Sequence, residues 1–259
     1  MDQDDWTARR ASFGAVAQAY AVHRPDYPQA AVRWSLAPAG PDVTRLRVLD
    51  LGAGTGKLTA VLLGMGAEVT AVEPDLAMLG ELRRQVPAAR ALKGSAEAIP
   101  LPDAAVDAVL CGQAMHWFDM NRAVPEIARV LVPGGPLAGL WNADDDRVDW
   151  VAGFQAVARE AAAPSVSRRR AEAADFGVHQ FGTKLFGPAV RAEFPHAQSY
   201  TADSLVALCG THSGVLVMPE PERAALLTEI RAYLESRPET ARGEFTLPMV
   251  TAGVRAVRH

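Results

Sequence analysis

The stretch LDLGAGTGKLT, residues 49–59, sets glycines at positions 52, 54 and 56 behind an acid, Asp50. Loops of this kind hold phosphates, dinucleotides or other nucleotide-like ligands, and the spacing separates the possibilities. A phosphate-binding P-loop needs G-x-x-x-x-G-K-[ST]. With Gly56-Lys57 as its end, the first glycine falls on Leu51 and the hydroxyl residue on Leu58, so the pattern fails twice. A dinucleotide fingerprint needs G-x-G-x-x-G, whose third glycine lets helix and strand pack closely. Here the order is G-x-G-x-G, and Lys57 stands where that third glycine belongs. Asp50 adds a further objection to a pyrophosphate, because a carboxylate beside the loop suits a cationic ligand group.

Outward from the loop, apolar runs alternate with helical periods as a parallel sheet requires. LRVLDL (46–51) reads as a strand and KLTAVLLG (57–64) as a helix ended by glycine. AEVTAVE (67–73) is the next strand, and Asp75 caps LAMLGELRRQV (76–86). In that helix Leu76, Leu79, Leu82 and Val86 recur at helical spacing and are expected in the core. ARALKG (89–94) is a weaker strand, AVDAVLCG (105–112) a fourth and PLAGLWN (136–142) a fifth. Before the fifth, VPEIARVLV places Val124, Ile127, Ala128 and Leu131 on one helical face and stops at Gly134-Gly135. FTLPMVTAGVRAV (245–257) supplies a closing strand.

The predicted fold is therefore α/β: a doubly wound, mostly parallel sheet with helices on both faces. The amino-terminal part reads as helix (6–23), the loop RPDYP and helix (29–37). Beyond residue 142 the pattern offers helices near 148–162, 203–210 and 220–235, with a polar loop between the first two. No repeat or low-complexity linker interrupts the chain. The expected organisation is one domain over 1–259, with a helical lid (1–40), a cofactor-binding core (41–142) and a substrate-side segment with closing strands (143–259).

Composition excludes several classes. The chain carries a net charge of −4 and a pI near 5.9, no footprint for nucleic acid or an anionic membrane. Arg168-Arg169-Arg170 reads as a solvated loop. Cys111 and Cys209 sit in apolar stretches, so buried reduced thiols are expected rather than a disulfide. The acidic start MDQDDW has no apolar run, and no stretch of about 18 apolar residues occurs uninterrupted. The expectation is a soluble, cytoplasmic protein with no nucleic-acid or membrane partner.

Candidate ligand residues end the predicted strands, where the crevice of such a sheet lies. Asp50, Gly52 and Gly54 follow the first. Glu73 ends the second, where an acid accepts both hydroxyls of a ribose; a nicotinamide site uses an acid there too, and capping the next helix is its bland alternative. GSAEAIPLPD (94–103) places Ala96 and Glu97 against an adenine edge, or is an ordinary turn. CGQAMHWFDM (111–120) crowds Gln113, His116, Trp117 and Phe118 after the fourth strand.

LDLGAGTGKLT, VEP, GSAEAIPL, CGQAMHWFD and EIARVLVPGG, in this order and spacing, resemble the class I S-adenosylmethionine-dependent methyltransferases. The resemblance is to the methyltransferase type 11 group, in a branch carrying HWF that is similar to aconitate-type small-molecule methyltransferases. It covers residues 41–142; YAVHRPDYP (20–28) and LPMVTAGVRAVR (247–258) resemble the same branch's entry segment and last strand, and 143–240 is alike only in general.

The resemblance implies a Rossmann-like methyltransferase sheet with an antiparallel last strand and S-adenosyl-L-methionine as cofactor. It also implies a small-molecule acceptor with an O-, N- or C-nucleophile, a carboxylate among them, and a role for each matched position. Asp50 would face the ammonium of the methionine part, with N–H groups around Gly52 and Gly54 on its carboxylate. Glu73 would take the ribose, Ala96 and Glu97 the adenine, and Gln113 the methionine part from the other side. Arg24 and Tyr20 would close over the cofactor, or are a loop arginine and a core tyrosine. Trp117, Phe118 and Trp141 are either walls for the sulfonium, which aromatic faces suit, or simply core. His116 is either a base for the acceptor's proton or a substrate-orienting histidine; a carboxylate acceptor needs no base. His179 and His212 belong to no motif. No metal is expected, since the three consecutive acids of NADDDR (142–147) point in different directions. The alternatives are a nicotinamide-dependent oxidoreductase on the same fold and a non-catalytic binding protein.

Overall fold

A computed structural model describes residues 21–162 and 184–259. Its strands are β1 (Arg47–Leu51), β2 (Glu68–Glu73), β3 (Arg90–Lys93), β4 (Ala108–Gly112), β5 (Pro136–Asp144), β6 (Val190–Thr201) and β7 (Glu244–Val257). They form one sheet in the order β3-β2-β1-β4-β5-β7-β6. The pairs β1–β2, β1–β4, β2–β3 and β4–β5 are parallel, with Asp50 level with Ala71 and Leu110. Gly135 pairs with Arg258 at one end of β5 and Asp145 with Pro248 at the other. Register running in opposite senses makes β7 antiparallel to β5, and Gly187–Val257 and Leu185–His259 bonds make β6 antiparallel to β7 in turn. The reversed last strand is thus present, inserted between β5 and β6.

The helices are α1 (Gln29–Leu36), α2 (Lys57–Gly64), α3 (Leu76–Gln85), α4 (Met120–Val130), α5 (Asp149–Ala162), α6 (Ala202–Gly210), α7 (Ser213–Leu216) and α8 (Glu220–Ser236). By packing, the chain divides into two compact units. One comprises Asp26–Asn142, Arg170–Phe194 and Thr251–His259; the other comprises Met1–Pro25, Ala143–Arg169 and Pro195–Val250.

In the first unit, side chains alternate between two cores because strand residues point to opposite faces. Leu49, Val109 and Leu137 pack with Val124, Ile127 and Ala128 of α4. Val48, Leu110 and Leu140 pack on the other face with Val32 and Leu36 of α1 and Leu58 and Leu62 of α2. The second unit is mainly helical: Val151, Phe154 and Ala158 of α5 meet Leu205 and Cys209 of α6 and Leu226, Ile230 and Leu234 of α8, spacings of three and four that line one helix face. Both cysteines are free and buried.

Two expectations fail. The stripe of α3 is Met78, Leu79 and Leu82, whereas Leu76 is 65% exposed. At 3.6 residues per turn Leu76 lies roughly a third of a turn off that stripe. β6 occupies a stretch that reads as polar loop. It is an edge strand with Pro195 inside it, most of its residues exposed and only Tyr200 buried, and its less exposed positions include the polar His196 and Gln198, so its sequence lacks the apolar alternation that reports a strand. The helix expected over 6–23, apart from its last residues, and the arginines at 168–170 lie outside the described residues.

Candidate active site

The glycine loop leaves β1 and turns into α2, with Gly52, Gly54 and Gly56 at φ of 72°, 57° and 91°, where L side chains are strained. Two also lack room. A Cβ on Gly52 would stand 2.6 Å from the Ala114 Cβ and 3.4 Å from the Phe118 ring; one on Gly56 would stand 3.0 Å from Val86. Gly54 has nothing within 4 Å and faces open space. The loop N–H groups expected to reach a ligand donate inside the protein instead. Those of Gly52 and Ala53 go to the Val72 carbonyl at 2.9 and 3.1 Å, and that of Gly54 to Glu73 Oε2 at 2.9 Å. Each carbonyl or carboxylate at the end of β2 sits within reach of the loop, so the tight turn satisfies its own donors.

Glu73 is not the helix cap. That role belongs to Asp75, whose Oδ1 accepts from the N–H groups of Ala77 and Met78 at 2.8 and 2.9 Å. Glu73 is buried, and its Oε1 accepts from the Asp75 N–H at 2.9 Å. One carboxylate therefore ties the glycine loop to the start of α3.

Asp50 is fully buried at the end of β1. Its Oδ2 accepts from Thr59 Oγ1 at 2.6 Å, while Oδ1 has no partner among the described residues. Burial pushes its carboxyl up to about 7, with the charge of Glu73 adding to the rise and the Thr59 hydrogen bond opposing it. Thr55 Oγ1 and Gln113 Oε1 are likewise buried without a partner among the described residues. Gln113 has φ of 56°, unusual for a side-chain-bearing residue. Its conformation is held from both ends: its N–H donates to the Leu140 carbonyl and its Nε2 to the Asn142 carbonyl, each at 2.9 Å.

Asn142 is the hub of the β4–β5 side. Its Nδ2 donates to the Asp26 carbonyl at 3.1 Å and its Oδ1 accepts from Thr251 Oγ1 at 2.6 Å. The Tyr27 hydroxyl covers Gly112, where a Cβ would come within 2.5 Å of it, and Asp26 pairs with Lys57 at 3.2 Å. Thus the RPDYP segment from Asp26 onward is anchored at the carboxyl ends of β4 and β5.

His116 lies in a short 3-10 turn, Met115–Trp117, between β4 and α4, half-buried and with its ring 4.8 Å from that of Trp117. Trp141 is 1% exposed, and its indole N–H donates to His116 Nδ1 at 3.4 Å. Phe118 is half-buried against the glycine loop. Ala96 is buried, and Glu97 Oε1 accepts from the Asp119 N–H at 2.9 Å.

Of the predicted residues, Asp50, Gly52, Gly54, Glu73, Ala96, Glu97, Gln113, His116, Trp117, Phe118 and Trp141 all belong to the first unit. Arg24 belongs to the second, where its guanidinium donates to the Thr211 hydroxyl and carbonyl, both at 3.1 Å. Tyr20 and His179 lie outside the described residues. In the NADDDR stretch Asp145 is paired with Arg147 at 2.6 Å, and the described residues contain no cluster of His, Cys, Asp and Glu able to hold a metal. Sequence reasoning missed Thr59, Thr55, Asn142 and Asp26. The signal for Asn142 was present: a lone amide in an apolar strand must find partners when buried.

A family model for a methyltransferase domain matches residues 49–139. The chain is 39% identical to an uncharacterized methyltransferase of Mycobacterium tuberculosis, over 95% of both proteins. It is 37% identical to a malonyl-[acyl-carrier protein] O-methyltransferase of Enterobacter lignolyticus over 53% of this chain and 55% of that one. A solved structure of a proposed type II methyltransferase from Anaeromyxobacter dehalogenans has a TM-score of 0.62 and 26% identity, covering 91% of this chain and 97% of that one. The chain belongs to the class I S-adenosylmethionine-dependent methyltransferases. No helix among the described residues is long and apolar enough to cross a membrane.

Proposed function

We propose that the chain transfers the methyl group of S-adenosylmethionine to a carboxylate of a small-molecule acceptor by in-line displacement. The cofactor half rests on one observation: Asp50 Oδ1 at the end of β1, Thr55 Oγ1 in the loop after it and Gln113 Oε1 after β4 are each buried without a partner among the described residues. Each such atom costs on the order of 1–3 kcal/mol, so a trio suits a ligand that brings the partners. A ligand ammonium gives Asp50 and Gln113 their donors, and a ligand carboxylate accepts from the Thr55 hydroxyl. Glu73, at the end of β2, takes the ribose hydroxyls, and the backbone at Ala96 with Glu97 faces the adenine. With their N–H groups committed elsewhere, Gly54 serves by leaving open space for the ligand and Gly52 by letting Ala114 and Phe118 pack against the loop.

When bound, S-adenosylmethionine supplies a methyl group activated on a sulfonium. The residues of the chain have to align the acceptor with that methyl and exclude water, which contributes roughly 7–11 kcal/mol to such a displacement. Trp117 and Phe118 offer aromatic faces for the sulfonium, with Trp141 buried behind them. A carboxylate is already nucleophilic, so His116 orients the acceptor and need not remove a proton. An acceptor of this kind is supported by the similarity to a protein named for O-methylation of a malonyl group.

Calorimetry with S-adenosylhomocysteine, NAD and NADP tests the first half; preferential binding of a nicotinamide nucleotide would overturn it. Methyl-labelled S-adenosylmethionine, offered with a panel of small di- and tricarboxylic acids, phenols and amines, tests the second. Base-labile methyl esters are expected, and label transferred only to phenols or amines would remove the carboxylate reading.

A further inference from the structure

α2 begins without a capping side chain, because its N-cap is Gly56. The first N–H groups of a helix must find acceptors outside it, and they favour a negative charge. Asp50, nine residues before Thr59, brings that charge from the end of β1. Thr59 is the third residue of α2, and both side chains are fully buried. A helical threonine can turn its hydroxyl back to a carbonyl three or four residues earlier, but the hydroxyl has one proton to give. Thr59 gives it to Asp50 Oδ2 at 2.6 Å, a distance typical of an O–H donated to an ionised oxygen. The Thr59 N–H pulls on the same carboxyl. Oδ1 stays without a partner among the described residues.

The other titratable groups near Asp50 do not hold its charge. Glu73 on β2 opposes it. Cys111 on β4 is a thiol that burial, and then the nearness of Asp50, push well up, so it is neutral at ordinary pH. Lys57, at the start of α2, is paired with Asp26 at 3.2 Å. What works against burial and Glu73 is the hydrogen bonding from Thr59.

We infer that Thr59 is a positioning residue: by binding Oδ2 it favours the charged form of Asp50 and leaves Oδ1 as the oxygen for a cationic group of the ligand. That the cation is the ammonium of S-adenosylmethionine rests on the function proposed above; the hold on Asp50 rests on the protein alone.

Carbon-13 titration of the side-chain carboxyls in the full-length, ligand-free protein tests this, with the Asp50 signal assigned by its loss in Asp50→Asn. The parent midpoint is expected at about 7. Thr59→Val keeps the branched shape and removes the donor. Its Asp50 midpoint should climb by about one to two pH units, the worth of a hydrogen bond to a charged group. Thr59→Ser restores the hydroxyl and should bring the midpoint back to the parent's. Binding should follow the same order. The affinity of Thr59→Val for S-adenosylhomocysteine should lie about tenfold below the parent's at pH 7 and within about threefold of it at pH 9. Comparing the two proteins at each pH cancels the ligand's own titration. A midpoint unmoved in folded Thr59→Val, or an affinity deficit equal at both pH values, would overturn the inference. If Thr59→Val does not fold, the parent decides by itself: the Thr59 hydroxyl proton should shift with the Asp50 midpoint, and a signal indifferent to that titration counts against it. Failure of the parent to bind S-adenosylhomocysteine would remove the proposed function while the carboxyl titration still decides the role of Thr59.

Discussion

The ends of β1 and β2 handle their polar groups differently from the ends of β4 and β5. On the first side stand two buried acids, one with both oxygens given to backbone N–H groups and one with an oxygen unpartnered among the described residues. On the second side neutral groups hold one another: Gln113 on Asn142, Asn142 on Asp26 and Thr251, Trp141 on His116. A charge in a dry site is costly until a counter-charge arrives, whereas a neutral network that leaves one acceptor, Gln113 Oε1, without a partner among the described residues costs less. Binding strength should therefore reside on the β1–β2 side and orientation on the β4–β5 side.

The strongest way to break that contrast is through Asp50. Its carboxyl is raised from an ordinary 3.8 to about 7 in the folded protein. A raised carboxyl stabilises the fold below the unfolded value, and this contribution is lost as pH climbs through the folded one. Asp50→Asn does not titrate, so its stability relative to the parent should grow by on the order of 4 kcal/mol between pH 4 and pH 8. Urea unfolding at both pH values measures it; a constant difference would mean Asp50 is not the buried acid described. The parent's affinity for S-adenosylhomocysteine should rise with pH up to about 7 and then level, and this rise should be absent in the variant.

Next in size, Glu73→Ala should weaken S-adenosylhomocysteine binding about a hundredfold, since bonds to a charged group contribute about 1.5–3 kcal/mol each and 1.4 kcal/mol is tenfold. Calorimetry giving less than about threefold would confine Glu73 to bracing the loop. The glycines then sharpen the picture. Gly54→Ala meets only backbone strain, about 1 kcal/mol, whereas Gly52→Ala must also displace Ala114 and should cost about 2–4 kcal/mol. Equal thermal shifts would show that the loop yields more easily than its contacts imply. The smallest effect belongs to Lys57→Met, which removes an ion pair whose Asp26 side is 61% exposed; unfolding should change by less than about 1 kcal/mol.

The strands and helices over 46–142 were legible because each combines an apolar run with a glycine, proline or capping residue at its end, Asp75 being the plainest case. The glycine loop was legible as a tight turn after β1 because its positive φ angles favour glycine. What was hidden is pairing at a distance. That Thr59 steadies Asp50, that Glu73 takes the Gly54 N–H, and that Trp141 points at His116 depend on strand register, which no local pattern encodes. β6 was hidden for another reason, since an edge strand has one paired side and little pressure to alternate. Residues of the RPDYP segment were recognised as a unit, yet Arg24 bonds Thr211 whereas Asp26 bonds Asn142; a motif does not say where its members go.

Asn142 also orders events in time. It bonds Asp26, 116 positions earlier, and Thr251, 109 positions later. On a ribosome, chains emerge amino end first, and contacts between distant positions close late. The glycine loop, Glu73 and β4 are all made long before Thr251 leaves the tunnel. A nascent chain can thus own β1 to β4 while Asn142 still lacks Thr251, and β7 must then slot in beside β5 to finish the hub. Chains cut short before that strand would carry an Asn142 without its Thr251 partner.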